Sequence, residues 1–353
     1  MSKIAILGYG TVGSGIAAVL DTNTAQVAAS AGEEVTVGAI LDLRDFPRDP
    51  HEAQVTHDIE TILANPEIEV VCETMGGVEP AYTFSKRAIE AGKSVCTSNK
   101  ELVATHGTEL LELARAHKVS YLFEASVGGG IPVLHAINNS LRHEQIESVT
   151  GILNGTTNYI LTRMEQEGAD FDTVLADAQA KGYAERNPAA DIEGHDACRK
   201  TAILAGLMSG RYVDPADIPT EGITKVTVED LREARAAGYC IKLLGSCRQI
   251  SDEAIEASVA PFLVPLTHPL ASVNDVFNAI LVHGNMIGDV MFYGRGAGKE
   301  ATASAVVGDV LDIIRHRGST LPVQYSRTPA VLQAAAEGAE TKRFASGNSY
   351  RVL

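Results

Sequence analysis

Charged residues in the middle of the chain have the composition of a binding site for a small zwitterion. Glu185, Asp191, Asp196 and Lys200 fall within 16 residues of one another. Carboxylates could hold an ammonium group, and a lysine partly removed from water could transfer a proton. Asp196 and Lys200, four positions apart on one helix face, would alone favour an ordinary surface salt bridge. The neighbouring carboxylates shift the interpretation toward an amino-acid ligand.

A glycine-rich segment near the N-terminus has the spacing of a dinucleotide-binding turn. It follows the apolar run 4–7 and reads Gly8-Tyr9-Gly10-Thr11-Val12-Gly13. In a G-x-G-x-x-G turn the first glycine makes the tight turn, the second lets the main chain approach the pyrophosphate, and the third lets the helix pack on the strand. The helix N-terminus would present N–H groups to the phosphates. A glycine-rich turn without a ligand is the alternative, which the strand–turn–helix context disfavours.

The end of the second predicted strand bears on the choice of nucleotide. Asp42 follows the apolar run 35–41, where a carboxylate would bind the adenine ribose hydroxyls and repel a 2′-phosphate. Arg44 and Arg48 lie close by and could hold that phosphate instead. The sequence therefore favours NAD over NADP by a small margin.

Further polar segments follow the next predicted strands, at the edge of a parallel sheet where ligands bind. They are Thr74-Met75-Gly76-Gly77, Thr97-Ser98-Asn99-Lys100 and Glu124-Ala125-Ser126-Val127-Gly128-Gly129-Gly130-Ile131-Pro132. Two more segments precede the charged residues, Asn154-Gly155-Thr156-Thr157-Asn158 and Gly182-Tyr183-Ala184-Glu185. We expect all of them near bound ligands.

The elements that must position these residues show two patterns. Up to Pro132, short apolar runs alternate with helical spacing, which predicts an α/β fold with a Rossmann-type, doubly wound parallel sheet. The predicted strands are 4–7, 35–41, 69–72, 94–97 and 119–123, and the predicted helices are 11–20, 79–91 and 106–117. Beyond Pro132 the pattern is that of a mixed α+β catalytic and dimerisation domain. There we predict helices at 133–141, 156–165, 171–181 and 196–209, strands at 146–153 and 254–265, and a hairpin at 276–293.

A last helix, predicted over 300–316, follows a glycine-rich turn that could bring Gly298 to the cofactor. The predicted organisation is a dinucleotide-binding domain and a substrate-binding and dimerisation domain, followed by a C-terminal tail or linker. The first domain occupies 1–132 with 299–320, and the second occupies 133–298. The tail or linker occupies 321–353. The acidic, alanine-rich stretch 330–341 has the composition of a solvated helix or linker.

Bulk composition excludes several other classes of protein. The formal charge of -16 over 353 residues argues against a nucleic-acid partner. The five cysteines are scattered without C-x-x-C spacing, which suits a reducing cytoplasm better than disulfides or a zinc site. There is no apolar run of 18 residues to span a membrane, and the chain enters its first strand pattern too early for a signal peptide.

Taken in order, these motifs resemble the homoserine dehydrogenase family over about residues 4–320. The resemblance implies hydride transfer with NAD or NADP between L-homoserine and L-aspartate 4-semialdehyde, a step of threonine, methionine and isoleucine biosynthesis. It implies an acid/base role for Lys200, and a place beside the nicotinamide and the reacting oxygen for Lys100. The residues implied in substrate binding are Glu185, Asp191, Asp196, Asn154 and Thr157. Those implied in cofactor binding are Gly8, Gly10, Thr11, Val12, Gly13, Asp42, Thr74, Met75, Gly76, Ser98, Lys100 and Gly298.

The resemblance also implies a monovalent cation, most simply Na⁺. Its ligands would be the Glu124 side chain and the main-chain carbonyls of Val127, Gly129 and Ile131. Hard oxygen donors suit such an ion, and the expected role is structural. A plain tight turn at a domain joint is the alternative.

Two departures from the family pattern bear on these expectations. Many members carry an arginine at the end of the second strand, where this chain has Leu41, which puts NADP preference in doubt. Some members continue into a C-terminal regulatory domain. Here the chain stops at 349–353, which has the pattern of a beginning strand, so the domain is either naturally absent or cut off.

Two alternative functions remain at this point. Another amino-acid or hydroxy-acid dehydrogenase could use His195 as its base, although we expect that residue to pack at a helix start. A catalytically silent NAD-binding sensor would not need both Lys100 and Lys200. In either case the apolar strand 254–265 and the apolar run 276–292 predict a homodimer built by the second domain.

Overall fold

The computed structural model describes residues 1–334 and 340–353. Its strands are β1 (Ser2–Leu7), β2 (Val35–Leu41), β3 (Val55–Thr56), β4 (Ile68–Glu73), β5 (Ser94–Thr97), β6 (Tyr121–Leu122), β7 (Ile146–Ile152), β8 (Tyr239–Gln249), β9 (Ala254–Pro265), β10 (Phe277–Gly284), β11 (Gly288–Arg295), β12 (Val331–Gln333), β13 (Thr341–Arg343) and β14 (Ser349–Val352). Its helices are α1 (Thr11–Thr22), α2 (Thr24–Ala31), α3 (Ile59–Leu63), α4 (Ala81–Glu90), α5 (Lys100–His117), α6 (Val133–His135), α7 (Gly155–Glu167), α8 (Phe171–Ala180), α9 (Ala189–Ile192), α10 (His195–Ser209), α11 (Val228–Ala236) and α12 (Lys299–Arg315).

The chain divides into two compact units, each made of two stretches. The first unit comprises Met1–Asn139 with Ala297–Arg327, and the second comprises Ser140–Gly296 with Thr328–Leu353. The structure thus places the first boundary at 139 rather than 132, and begins the returning stretch at Ala297 rather than 299.

The sheet of the first unit is doubly wound, as the sequence predicts. Six strands of the described residues pair in parallel in the order β3-β2-β1-β4-β5-β6. Leu7 pairs with Leu41 on one side and with Glu73 on the other, so β1, β2 and β4 end together. The strand order reverses at β1, which opens a crevice for a ligand at the carboxyl ends of β1 and β4.

Helix α12 completes this unit by packing along α1 and α2. A Cβ atom at Gly15 would lie 2.9 Å from the Ala303 Cβ, so the two helices meet where α1 has no side chain. The buried side chains of Ile16 and Val306 join Ile4 of β1 in one apolar core. A continuous apolar strand such as β1 requires this cover on both faces.

The second unit is built on a mixed sheet. Eight strands of the described residues take part, seven of them in the order β11-β10-β7-β8-β9-β14-β13, while β12 also pairs with β9. Neighbours from β11 to β9 are antiparallel, and β14 and β12 run parallel to β9. Helix α10 packs on β7, β8 and β9, and it carries Asp196 and Lys200.

The largest departure from the sequence prediction concerns the C-terminal residues. The sequence predicted a tail or linker over 321–353, with the pattern of a beginning strand at 349–353. The structure confirms that strand as β14, but β12 and β13 also extend the second sheet. The Tyr350 hydroxyl donates to the buried Asp230 carboxylate at 2.8 Å, which fixes β14 in place. Of the stretch predicted as a solvated helix or linker, 330–341, residues 335–339 lie outside the described residues, and strand begins on either side.

The predicted helix over 133–141 is also wrong in part, since α6 gives way to a π-helical turn over Ala136–Ser140. Helices α2, α3, α9 and α11 and strands β3 and β8 were not predicted. Among the described residues, no helix is both long enough and apolar enough to cross a membrane.

Candidate active site

The glycine-rich turn has the geometry that a dinucleotide requires. Gly8 ends β1 with a φ of 88°, which favours glycine. A Cβ atom at Gly13 would lie 2.0 Å from the Gly8 carbonyl oxygen, so only glycine allows α1 to approach β1 this closely. A Cβ atom at Gly10 would meet nothing within 4 Å, which leaves open space beside the N-terminus of α1, where Thr11 and Val12 begin the helix.

The loop after β4 is hydrogen-bonded to this turn. The Thr74 hydroxyl donates to the carbonyls of Leu7 at 3.1 Å and Gly8 at 2.8 Å. Met75 and Gly76 follow, and Gly76 has a φ of 83°. Three candidate cofactor residues therefore lie directly beside the turn.

Glu73 joins this loop to the next one along the sheet. Its fully buried carboxylate accepts hydrogen bonds from the Met75 N–H at 2.7 Å and the Thr97 hydroxyl at 2.5 Å. The Thr97 hydroxyl accepts the Asn99 N–H at 2.9 Å, and the Asn99 carboxamide donates to the Gly77 carbonyl at 2.6 Å. Sequence reasoning did not assign roles to these residues, although a glutamate closing an apolar strand is an unusual feature.

The same network places two candidate residues after β5. Asn99 caps α5 by accepting the Leu102 N–H at 3.1 Å. Lys100 is therefore the first residue of the helix, and the Ser98 N–H donates to the Glu73 carbonyl at 3.3 Å. Gly298 stands at the N-terminus of α12 in the same unit, with a φ of 131°.

Asp42 is held between the turn and an arginine. Its carboxylate accepts the Tyr9 N–H at 2.8 Å and the Arg44 guanidinium at 3.0 Å. The Arg44 guanidinium holds the pKa of this carboxyl below its usual range, against the opposing effect of burial. Arg44 itself is exposed and lies over the Phe46 ring at 5.0 Å, whereas the Arg48 main chain contacts Glu52.

In the second unit, Asn154 contacts two of the charged residues predicted to bind substrate, Asp191 and Asp196. Its carboxamide N–H groups donate to Asp191 at 2.7 Å and Asp196 at 2.9 Å. Its carboxamide oxygen caps α7 by accepting the Thr157 N–H at 2.9 Å. One side chain thus fixes the start of a helix and holds two carboxylates close together.

Lys200 extends this cluster into the protein. Its ammonium donates to Asp196 at 2.8 Å and to the Leu153 carbonyl at 2.7 Å. The side chains of Lys200 and Asp196 are only 10% and 8% exposed, so the pair is not an ordinary surface salt bridge. An ammonium has three N–H donors, of which these contacts use two.

Glu185 and His195 are placed differently from this cluster. Glu185 is exposed on the loop between α8 and α9. The Thr156 hydroxyl donates to the Tyr183 carbonyl at 2.6 Å and so fastens the same loop to α7. His195 begins α10 as expected, and its exposed ring contacts Glu193 rather than the buried lysine.

A second buried lysine lies in the same unit and was missed in the sequence. The Lys242 ammonium donates to the Asn158 carboxamide oxygen at 3.2 Å and to the Val273 carbonyl at 2.6 Å. Burial lowers the pKa of Lys242. The Asn158 amide donates in turn to Val273, Asp275 and Phe277 carbonyls, so the last residue of N-G-T-T-N organises a loop.

The candidate cation ligands lie in the first unit. The buried Glu124 carboxylate accepts the N–H groups of Leu134, at 3.1 Å, and His135. Burial raises the pKa of Glu124 to about 7. Gly129 has a φ of 55°, and the Ile131 carbonyl accepts the Val133 N–H at 2.8 Å. Val127 is fully buried at the start of this glycine-rich loop.

Comparison with known proteins matches both units. The family model described as "Homoserine dehydrogenase, NAD binding domain" matches residues 8–124, and the model described as "Homoserine dehydrogenase" matches residues 132–311. A homoserine dehydrogenase of Synechocystis sp. is 47% identical over 319 residues, covering 88% of this chain and 73% of the relative.

Solved structures give the same result. A homoserine dehydrogenase from Thiobacillus denitrificans has a TM-score of 0.87 and 39% identity, covering 96% of this chain and 80% of that one. A hyperthermophilic archaeal homoserine dehydrogenase mutant, solved in complex with NADPH, has a TM-score of 0.75 and 27% identity, covering 88% and 97%.

The doubly wound sheet, the glycine-rich turn and these matches define an NAD(P)-dependent oxidoreductase that acts on CH–OH groups. Its second unit carries a buried lysine–carboxylate cluster rather than a histidine base. The chain belongs to the homoserine dehydrogenase family.

Proposed function

We propose that the protein interconverts L-homoserine and L-aspartate 4-semialdehyde and that the buried Asn154–Asp191–Asp196–Lys200 cluster is its substrate site. The observation that carries this proposal is the buried ion pair of Lys200 and Asp196. A buried charged pair is costly unless its groups are well paired, so such a pair is typical of a site that uses its charges. The carboxylates of this cluster suit the ammonium of an amino acid.

Lys200 is proposed as the acid/base group. In oxidation, the homoserine hydroxyl must lose its proton to a neutral lysine nitrogen as hydride leaves the same carbon. In reduction, the Lys200 ammonium gives a proton to the aldehyde oxygen. Bound nicotinamide supplies the hydride acceptor or donor. Asp196 and the Leu153 carbonyl hold the nitrogen in place at 2.8 Å and 2.7 Å, which fixes the direction of proton transfer.

Lys100 is proposed as an electrostatic group for the same reaction. It begins α5 directly after β5, in the loop that the Glu73 network holds. A positive charge at the reacting oxygen would stabilise negative charge that develops there in either direction. Glu185, on its exposed loop, is proposed to bind the substrate ammonium together with Asp191 and Asp196.

NAD is proposed as the preferred nucleotide. Asp42 stands at the end of β2, where it could bind both ribose hydroxyls. Its carboxylate is engaged by Arg44, and the exposed guanidinium could instead turn to a 2′-phosphate. We therefore infer a modest preference for NAD with residual use of NADP.

A monovalent cation is proposed at the loop after β6. The buried Glu124 carboxylate and the carbonyls of Val127, Gly129 and Ile131 are hard oxygen donors on one short segment. The loop packs on α12, since a Cβ atom at Gly130 would lie 3.0 Å from the Ala301 Cβ. The ion would stabilise this packing and is given no part in the chemistry.

A homodimer is proposed through the second unit. Strand β9 is buried between β8 and β14, so it no longer supports this proposal. Strand β11 does, because it begins the sheet order and alternates between half-buried and exposed residues. Its outward side chains include Met291, 39% exposed, and Tyr293, 54% exposed. A second copy of the chain would cover this apolar edge.

The acid/base assignment predicts the effect of removing the lysine. Lys200→Ala should lower kcat by about 10²–10⁴, the usual effect of losing a positioned acid/base group, with NAD affinity nearly unchanged. Lys225→Ala is the matched control, because Lys225 forms an exposed pair with Glu221 at the same spacing and should leave kcat unchanged. The measurement is steady-state turnover of homoserine from pH 7 to 10, with folding checked by circular dichroism. Near wild-type kcat in Lys200→Ala would refute the role.

The cofactor proposal predicts a selective effect of two neighbouring variants. Wild-type kcat/KM should be higher with NAD than with NADP. Asp42→Ala should weaken NAD use by roughly tenfold, about the value of one charge-assisted hydrogen bond. Arg44→Ala should impair NADP use while sparing NAD. A wild-type kcat/KM clearly higher with NADP would contradict the proposal.

The cation proposal predicts a dependence of stability on the salt used. At equal ionic strength, the first unit should unfold at a higher temperature in NaCl than in choline chloride, because a bound ion stabilises the folded state. Glu124→Gln should abolish this difference. Identical unfolding temperatures of the wild type in both salts would rule the ion out.

The dimer proposal predicts that light scattering gives twice the chain mass at micromolar concentration. Tyr293→Lys should shift the protein toward monomer, since a charge would be buried in the apolar contact. Lys225→Ala, on a different surface, should stay dimeric. A monomeric wild type would contradict the proposal.

A further inference from the structure

The Glu73 carboxylate is a buried group to which the proposed reaction gives no role. It ends β4, and its exposed fraction is 0%. It faces donors from the loop after β4 and from the end of β5, the Met75 N–H at 2.7 Å and the Thr97 hydroxyl at 2.5 Å. Burial raises the pKa of Glu73, and hydrogen bonds from Thr97, Met75, Asn99 and Gly76 oppose this effect.

These contacts are those of a carboxylate anion. The Met75 N–H can only donate, and the Thr97 hydroxyl, which accepts the Asn99 N–H at 2.9 Å, donates its own proton to Glu73. The donors described to Glu73 are neutral groups, so they orient the charge without cancelling it. A charge in such surroundings acts on a neighbouring ligand more strongly than a solvated one does.

The place of Glu73 in the fold indicates which part of the nucleotide it faces. The crevice lies between β1 and β4, and Asp42 at the end of β2 marks the adenine side. The nicotinamide half of a dinucleotide must therefore extend over the loops that follow β4 and β5. Those are the two loops that Glu73 joins. The nicotinamide ring carries a positive charge when oxidised and is neutral when reduced.

We propose that the buried negative charge of Glu73 sets the relative affinity of the enzyme for oxidised and reduced nucleotide, favouring the oxidised form. The hydrogen bonds to Met75 and Thr97 fix the distance at which the charge acts. This inference rests on the dinucleotide binding of the proposed function, but it does not depend on which substrate is used. One consequence is that the equilibrium between bound reactants is shifted toward reduction of the aldehyde.

The test compares equilibrium binding of the oxidised and reduced nucleotide, without substrate. Glu73→Gln has the same shape without the charge. It should weaken binding of the oxidised form by about tenfold and change binding of the reduced form by less than about threefold. Calorimetry gives the first dissociation constant and nucleotide fluorescence the second, using whichever of the NAD or NADP pairs binds more tightly.

Two further variants separate charge from position. Thr97→Val removes a donor but retains the charge, so it should weaken both forms to the same extent. Glu73→Asp retains the charge on a shorter side chain, so its affinity ratio should stay close to that of the wild type. A wild-type ratio in Glu73→Gln would overturn the inference. If that variant does not fold, wild-type protein that binds the reduced form more tightly than the oxidised form would overturn it. Wild-type protein that binds neither nucleotide would overturn the proposed function itself.

Discussion

The carboxamide of Asn154 is the junction on which the second unit depends. It must cap α7 with its oxygen and separate two carboxylates with its nitrogen, at 2.7 Å and 2.9 Å. An aspartate would cap the helix equally well but would add a third negative charge. A serine would cap it without reaching both carboxylates. The demand for one acceptor and two donors on a short side chain leaves asparagine as the suitable residue.

In the first unit a carboxylate, rather than a carboxamide, connects separate segments of the site. There the carboxylate of Glu73 receives donors from the loop after β4 and from the end of β5, so these segments are ordered before any ligand arrives. In both units, hydrogen bonds within the protein hold the polar groups of the site. Such preorganisation lowers the cost of binding, because fewer side chains must be immobilised when the ligand enters.

The sequence allowed much of the first unit to be predicted, because its signals are local. Continuous apolar runs gave β2 and β5 with their observed bounds, and the glycine spacing located the turn. The charged residues were found because they are close in sequence. The networks around Glu73 and Lys242 were missed because their partners are brought together only by sheet pairing, 24 residues apart for Glu73–Thr97 and 84 for Lys242–Asn158.

Of the C-terminal strands, β12 and β13 were missed for a further physical reason, whereas β14 lies where the sequence showed the pattern of a beginning strand, at 349–353. β12 and β13 are three residues long, too short to show an alternating pattern. Their conformation is imposed by pairing with β9 and β14, not by local preference. Strand propensity in such segments is decided by the neighbouring strand.

The interleaving of the two units has a consequence for synthesis on the ribosome. The first unit needs Ala297–Arg327 to cover α1, and the second needs Thr328–Leu353 to complete the pairing of β9. Neither unit can reach its final form while the middle of the chain is being translated. Apolar surfaces of both units therefore stay uncovered until later segments are synthesised. Nascent chains in that condition are prone to misassociate. The order of synthesis therefore makes residues 297–353 the stretch whose translation completes both units, one directly after the other.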